Sequence, residues 1–325
     1  MNFLNIRLSM IILVVSLIGL YAFKRVNTRE RSGIRIGIVT PMAHPAMDQI
    51  VNGFKEQFTA LYKKPVVFDV QCAQGDDTLM RAIIQSFITK NVAFVAPVGK
   101  KATQMSMSMV CNQPVIGVAV DLPENERTAN SLCSVTGVCD EISRKLQVDM
   151  ISQIFPEIKK IAIVYSASEK VFSEVDEFVM YAQKAQIQVQ KCMVQAMSEL
   201  YTVSKTIDSD EQALFVLKDH MIVSGINTLV KEAQMRNVPV ITSDNGSVEH
   251  GALCALGIEE TEIGRAGARL AAKIVQHEID PKKHATEIID KLTVFVNKHV
   301  KHVQPVLFEI IKKYAQSRGY ALQEV

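Results

Sequence analysis

Apolar and polar positions follow two rhythms along this chain, and the rhythms take turns. Ile34–Thr40 (IRIGIVT) is an apolar run that stops at Pro41, which predicts a strand. Over residues 45–62, Ile50, Phe54, Phe58 and Leu61 recur at i, i+4, i+8 and i+11, one face of a helix. Residues 66–70 predict a second strand and 76–90 a second helix, with Asp76 or Asp77 as its cap and Leu79, Ile83, Ile84 and Phe87 as its apolar stripe. Residues 92–97, 100–109 and 114–120 continue as strand, helix and strand.

After a polar stretch the pattern restarts. Helices are predicted at 140–155, 169–185, 198–206 and 223–236, alternating with strands at 160–165, 187–193, 213–218 and 239–243. Runs such as IAIVY, ALFVL and VPVIT are apolar throughout, as strands of a parallel sheet covered on both faces must be. Strand alternating with helix gives doubly wound α/β layers. Each half opens alike, Arg35-Ile-Gly-Ile-Val and Lys160-Ile-Ala-Ile-Val. The expected fold class is therefore α/β, with two similar doubly wound parallel-sheet lobes joined by a hinge. A ligand cleft is expected between them, at the carboxyl ends of the strands.

Composition narrows the function. With 325 residues, 48% hydrophobic and 22% charged, the chain is globular and long enough for two domains; disorder, collagen and small disulfide scaffolds are excluded. A net charge of +2 gives no reason to expect nucleic acid. Six cysteines (Cys72, Cys111, Cys133, Cys139, Cys192, Cys254) show no metal-ligand spacing and read mostly as small buried hydrophobes, Cys133 and Cys139 being closest in sequence.

The N-terminus stands apart. Residues 8–23 carry no charge and lie between Arg7 and the pair Lys24-Arg25, so 1–32 reads as an export signal or a short membrane anchor. Sixteen residues fall short of the roughly 20 of a comfortable span. No Cys follows the run for a lipoprotein anchor, and Leu20 and Ala22 make a poor cleavage site. Export with the segment uncleaved or poorly cleaved is the favoured expectation. Lys24, Arg25, Arg29 and Arg31 after the run support the rival, an anchor with the body facing the cytoplasm.

The predicted strand ends gather Thr40 with His44, Ala96-Pro97-Val98, Asp121, Tyr165 with Ser166, Lys218 with Asp219, and Ser243-Asp244-Asn245; all of these but Pro97, Lys218 and Ser243 are expected ligand contacts. Hydroxyls, an imidazole, carboxylates and apolar surface suit a small zwitterion or polar solute. Asp244 or Asp219 could accept from a ligand ammonium, and helix starts near Pro45 or Glu169 could hold a carboxylate. Plainer roles compete: Asp219 and Asp244 also sit where helix caps belong, His44 where a structural hydrogen bond belongs, and Asn245-Gly246 and Pro97-Val98-Gly99 where turns belong. Catalytic patterns are missing: there is no G-x-S-x-G, no H-E-x-x-H and no G-x-G-x-x-G after the first strand. Gly99-Lys100 fails as a phosphate loop, with Phe94 in place of its first glycine and Lys101 in place of Ser or Thr. Neither His44 with Asp48 nor His299 with His302 makes a metal site.

Three stretches nonetheless resemble a known family, the ABC-transporter substrate-binding proteins of the type I periplasmic fold, in the branch with tryptophan- and tyrosine-binding members. Gly37, Ile38, His44, Pro45, Ala46 and Asp48 match its G-I-x-x-x-x-x-H-P-A-L-D opening, with Met47 for Leu. Ala73-Gln-Gly-Asp76 is similar to a second motif, and residues 239–274, around S-D-x-G-S-V-x-x-G-A-L, to a third. The chain departs where the family has Thr-Pro-Ala-Ala-Gln, Tyr-Asn-Pro-x-Glu and Pro-Thr-Asp-Asn; it has Ala96-Pro-Val-Gly-Lys100, Tyr165-Ser-Ala-Ser-Glu169 and Leu217-Lys-Asp-His220.

The resemblance implies a non-enzymatic receptor that closes two lobes on a small ligand, an amino acid with aromatic ones favoured, and delivers it to an ABC permease and ATPase. It implies an extracytoplasmic location, with the N-terminal segment as signal or membrane anchor, and no cofactor. The expected lobes are 33–138 plus about 256–282, and 139–255 plus about 283–325, with the stretch from Leu292 ending in a basic helix. The alternative is a membrane-tethered sensor or interaction module of the same fold without a transport partner; a third reading, an enzyme on this scaffold, lacks any motif. A neighbouring permease and ATPase gene pair would favour transport over sensing.

Overall fold

The computed structural model describes residues 33–128, 133–300 and 305–325. The apolar run at 8–23 and His302 lie outside them. Among the described residues no helix is long and apolar enough to cross a membrane. Thirteen strands follow in chain order: β1 (Ile34–Thr40), β2 (Val66–Cys72), β3 (Phe94–Pro97), β4 (Val115–Val118), β5 (Val135–Cys139), β6 (Lys160–Ser166) and β7 (Gln188–Val194). Then come β8 (Ala213–Val216), β9 (Val240–Thr242), β10 (Cys254–Gly257), β11 (Glu287–Ile288), β12 (Thr293–Val296) and β13 (Ala321–Glu324).

They form two sheets, in the orders β11-β5-β4-β3-β1-β2 and β13-β12-β10-β9-β8-β6-β7. In both, the first strand of the half has the second on one side and the third, fourth and fifth on the other, and these pairings are parallel. The repeated opening sequence is thus a repeated topology. The second sheet adds an antiparallel β10–β12 pair and a parallel β12–β13 pair. The chain divides into two compact units: one holds the described residues up to Cys139 together with Ile263–Glu287, the other Asp140–Glu262 together with Ile288–Val325. β10 stays whole in the second sheet, so the exchange falls after Glu262, beyond the boundary expected near 255.

Each unit has its own core. In the first, the rings of Phe54 and Phe58 on the helix Pro45–Leu61 stack at 6.0 Å, and Phe58 lies 5.7 Å from Phe94 of β3. In the second, Phe178 stacks on Phe215 of β8 at 4.4 Å. Central strands such as β3 and β8 are buried at every position, whereas the edge strand β2 has only half-buried and exposed residues and the edge strand β7 mixes buried and exposed ones. Gly37 keeps β1 close under the helix Asp77–Thr89, since a Cβ there would lie 2.6 Å from the Phe87 ring.

Several boundaries and faces differ from expectation for physical reasons. On the helix Asp77–Thr89 the buried stripe is Met80, Ile83, Ile84 and Phe87. Leu79 is exposed, because i, i+3, i+4, i+7 counted from residue 80 centres the face one position later. Leu61, in the last turn of its helix, is also exposed. The helix expected at 140–155 begins at Arg144, where the Ser143 side chain accepts from the Lys145 N–H at 3.2 Å. The helix expected at 223–236 is two, His220–Ser224 and Ile226–Arg236, broken at Gly225. At the end of the chain, the expected basic helix, Pro305–Arg318, is followed by Gly319 at φ 68° and by β13, so the chain closes on a strand.

Candidate functional site

The second unit has a polar cavity of about 60 Å³. Lys218 lies just past β8, Ser243 and Asp244 just past β9, and Ile258 and Glu260 just past β10, so the cavity opens at the carboxyl ends of neighbouring parallel strands. Asp140, Glu141 and Ile142 close it from the segment entering the unit, and Arg144, Gln147 and Glu174 from two helices.

Its electrostatics are organised around one lysine. The Lys218 ammonium donates to Asp140 and to Glu260, each at 3.1 Å. Burial works against the Lys218 charge, but the two carboxylates outweigh it and raise its pKa above the ordinary lysine value. Burial also raises Glu260; Lys218 opposes that shift, while Asp140 and Asp244 add to it. With Asp140, Glu141, Glu174, Asp244 and Glu260 facing only Arg144 and Lys218, the wall favours a cationic ligand group.

Two donors in the wall are unspent. Arg144 Nη1 donates to Gln147 Oε1 at 3.3 Å and pairs with Glu174 at 3.8 Å. A guanidinium offers only donors, so the amide oxygen of Gln147 must face it and Nε2 must point away. Gln147 is 1% exposed, and its Nε2 has no hydrogen-bond partner among the described residues; the same holds for Ser243 Oγ, on a residue 7% exposed.

Of the ten residues singled out in the sequence, Asp244 lines this cavity. It caps the helix Asn245–Glu249, Oδ1 accepting from the Ser247 N–H at 2.7 Å and Oδ2 from the Ser247 hydroxyl at 2.8 Å. Asn245 donates to Glu249 at 2.9 Å, while its Oδ1 is buried without a partner among the described residues. Tyr165 and Ser166 end β6; the Tyr165 ring meets Phe172 edge-on at 6.1 Å and burial raises its phenol pKa. Asp219 is 4% exposed and spans two elements, accepting from the Ser166 N–H at 2.6 Å and the Met221 N–H at 3.1 Å.

The remaining five lie in the first unit. Thr40 and Val98 stand past paired positions of β1 and β3, Val98 donating its N–H to the Val39 carbonyl at 2.9 Å, and Ala96 pairs with Ile38. All three are buried. His44 caps the helix Pro45–Leu61, its Nδ1 accepting from the Ala46 N–H at 3.2 Å, and Asp121 is exposed beyond β4. The sequence placed Lys218 and Ser243 at the strand ends without choosing them as ligand contacts, and it missed Gln147, Arg144, Asp140 and Glu260. Those two carried a signal, a polar or basic residue at the end of an apolar strand.

Other chemistry finds little footing. Among the described residues no group of three or more His, Cys, Asp or Glu is placed to hold a metal ion. None of the six cysteines is paired in a disulfide among the described residues, and burial pushes Cys133 and Cys192 up to about 11 and Cys254 up to about 12. Thiols so raised are poor nucleophiles.

Two parallel-sheet α/β units of one strand order define the class: this is the type I periplasmic binding protein fold. The pattern of the family described as ABC transporter substrate binding protein matches residues 35–318, and the chain belongs to that family. An uncharacterized protein of Rickettsia prowazekii (strain Madrid E) is 34% identical over 263 residues, 81% of this chain and 82% of that one. The tyrosine-binding protein of Clostridioides difficile (strain R20291) is 26% identical over 260 residues, 77% of this chain and 75% of its own. Among solved structures, an ABC domain from Streptococcus pneumonia in complex with L-Trp superimposes with a TM-score of 0.69 at 24% identity, covering 90% of this chain and 100% of that one. A ligand-free, open substrate binding protein with adhesive properties from Clostridium difficile gives a TM-score of 0.71 at 21% identity, covering 90% and 99%.

Proposed function

We propose that this protein is the solute-binding receptor of an ABC importer, and that its ligand is an amino acid, aromatic ones favoured. One observation carries the reading: a negatively biased cavity at the carboxyl ends of β8, β9 and β10, with the Asp244 carboxylate in its wall. Relatives that bind tyrosine or hold L-Trp support the ligand class. The chain passes between its units three times, after Cys139, Glu262 and Glu287, and these segments serve as the hinge on which the units close. The ligand stabilises the closed state through contacts available only there. A permease and its ATPase receive the cargo at the extracytoplasmic face, where residues 1–32 act as signal or anchor. The receptor performs no chemistry on what it carries.

A thermal-shift panel of amino acids, sugars, nucleosides and polyamines tests this. A ligand present at a thousand times its dissociation constant adds about 4 kcal/mol. That corresponds to a rise of several degrees for a protein of this size. The chain has no tryptophan, so indole fluorescence from the purified protein reports bound L-tryptophan directly. A shift confined to amino acids establishes the reading. No shift with any amino acid, in protein shown to be ligand-free, overturns it and turns attention to the tethered sensor.

A further inference from the structure

We infer that the second unit holds both charged ends of the amino-acid head group: Asp244 takes the ammonium, and Gln147 Nε2, Ser243 Oγ and Lys218 Nζ take the carboxylate. The inference rests on the receptor reading above and names which residues divide the work.

The cavity wall is acidic, and an acidic wall alone would describe a site for any cation. The unspent donors say more. Gln147 and Ser243 are 1% and 7% exposed, and both line the cavity with a polar atom that has no partner among the described residues. Buried polar groups are satisfied in nearly every native structure, so two such atoms in one wall mark a missing partner, which for Gln147 Nε2 must be an acceptor and for the Ser243 hydroxyl can be one. Gln147 Nε2 is a donor only, because Arg144 fixes the amide oxygen on its other side. A purely cationic ligand offers it nothing; a carboxylate does.

Lys218 supplies the charge for that carboxylate. Its ammonium has three N–H groups, and Asp140 and Glu260 engage two of them at 3.1 Å each. The third is left for the cavity, and the side chain is 43% exposed. Two carboxylates hold the ammonium in place, so it meets a ligand without having to be ordered first. Asp244 retains lone pairs on both oxygens after accepting from Ser247, and so can also take an ammonium hydrogen. Carboxylate donors and an ammonium acceptor in one wall are the requirement of an α-amino acid, and a decarboxylated amine meets only half of it.

The test is titration calorimetry on the full chain with L-tyrosine against tyramine and L-tryptophan against tryptamine, pairs that differ only in the carboxylate. The wild type is expected to favour the amino acid at least tenfold, about 1.4 kcal/mol. Gln147→Met and Ser243→Ala should each weaken the amino acid about fivefold and the amine less than twofold. Lys218→Met should do the same more strongly. It also unpairs Asp140 and Glu260, so melting temperatures are read alongside and the other two variants decide. Equal losses for acid and amine, or no loss, overturn the assignment and leave the receptor reading intact. If the wild type binds neither amino acid, the aromatic reading itself fails and takes the inference with it.

Discussion

The Asp219 carboxylate accepts a hydrogen bond of 2.6 Å from the backbone N–H of Ser166, tying the end of β6 to the start of the helix that follows β8. β6 and β8 flank the point where strand order reverses in the second sheet, with β7 on one side and β8 to β10 on the other. The residue therefore fastens the two strand ends on either side of that switch point to one another. Asp219→Ala leaves the Ser166 and Met221 N–H groups without their acceptor and should destabilise by about 3 kcal/mol. Asp219→Asn, which keeps one carbonyl oxygen, should lose roughly half as much. Urea denaturation separates them; equal stability for Asp219→Ala and wild type would reduce this contact to a surface detail.

Asp244 has a structural and a recognition role that one substitution can separate. Asparagine caps helices as well as aspartate does but carries no charge. Asp244→Asn should keep the melting temperature within a degree or so and weaken an amino-acid ligand at least tenfold, about 1.4 kcal/mol. Calorimetry paired with a melt gives both numbers. Unchanged affinity removes Asp244 from the binding site and leaves it a cap.

Glu211 makes stability depend on pH. It is 8% exposed, its Oε2 has no partner among the described residues, and burial pushes its pKa up to about 7, with Asp210 and Asp208 adding to the shift. The folded state thus holds a proton that the unfolded chain releases above its own value near 4.5. The stabilisation is complete below that unfolded value and is lost as pH rises through about 7, with an upper bound of about 3 kcal/mol. Glu211→Gln should flatten the fall. Denaturation midpoints on either side of this window check the sign: a wild type that gains stability across it contradicts the account.

Gly264 has no room for a side chain. A Cβ there would sit 1.9 Å from the Ile50 carbonyl oxygen, backbone against helix, inside the first unit. Backbone cannot step aside as a flexible side chain does, so Gly264→Ala should cost about 3 kcal/mol, the upper end of ordinary overpacking. Gly75→Ala makes a useful contrast. Nothing lies within 4 Å of the Cβ position, and only the positive φ of 81° penalises it. Melting temperatures should fall well below wild type for the first and by a small margin for the second.

Much of the scaffold was legible because burial writes itself into composition. β1 and the helix Lys100–Met109 agree with the sequence reading to the residue. What escaped was short or interrupted. β5 reads Val-Thr-Gly-Val-Cys, and Thr136 and Gly137 break its apolar run although every position is buried. β13 is exposed or half-buried throughout and carries no signal beyond its partner β12. In the cavity, Asp244 could be found from the end of its strand. Gln147 could not, for a polar residue inside a helix resembles any solvated face. Asp140, Lys218 and Glu260 are separated by 78 and 42 residues and become neighbours only through the fold.

The exchange of segments also sets when the molecule can take shape during synthesis. The first unit includes Ile263–Glu287, so it lacks a part of itself until position 287 of 325 has been made. An early stop before that point leaves both halves unfinished rather than one half whole. On the ribosome, the N-terminal portion therefore cannot complete its packing until most of the chain has arrived.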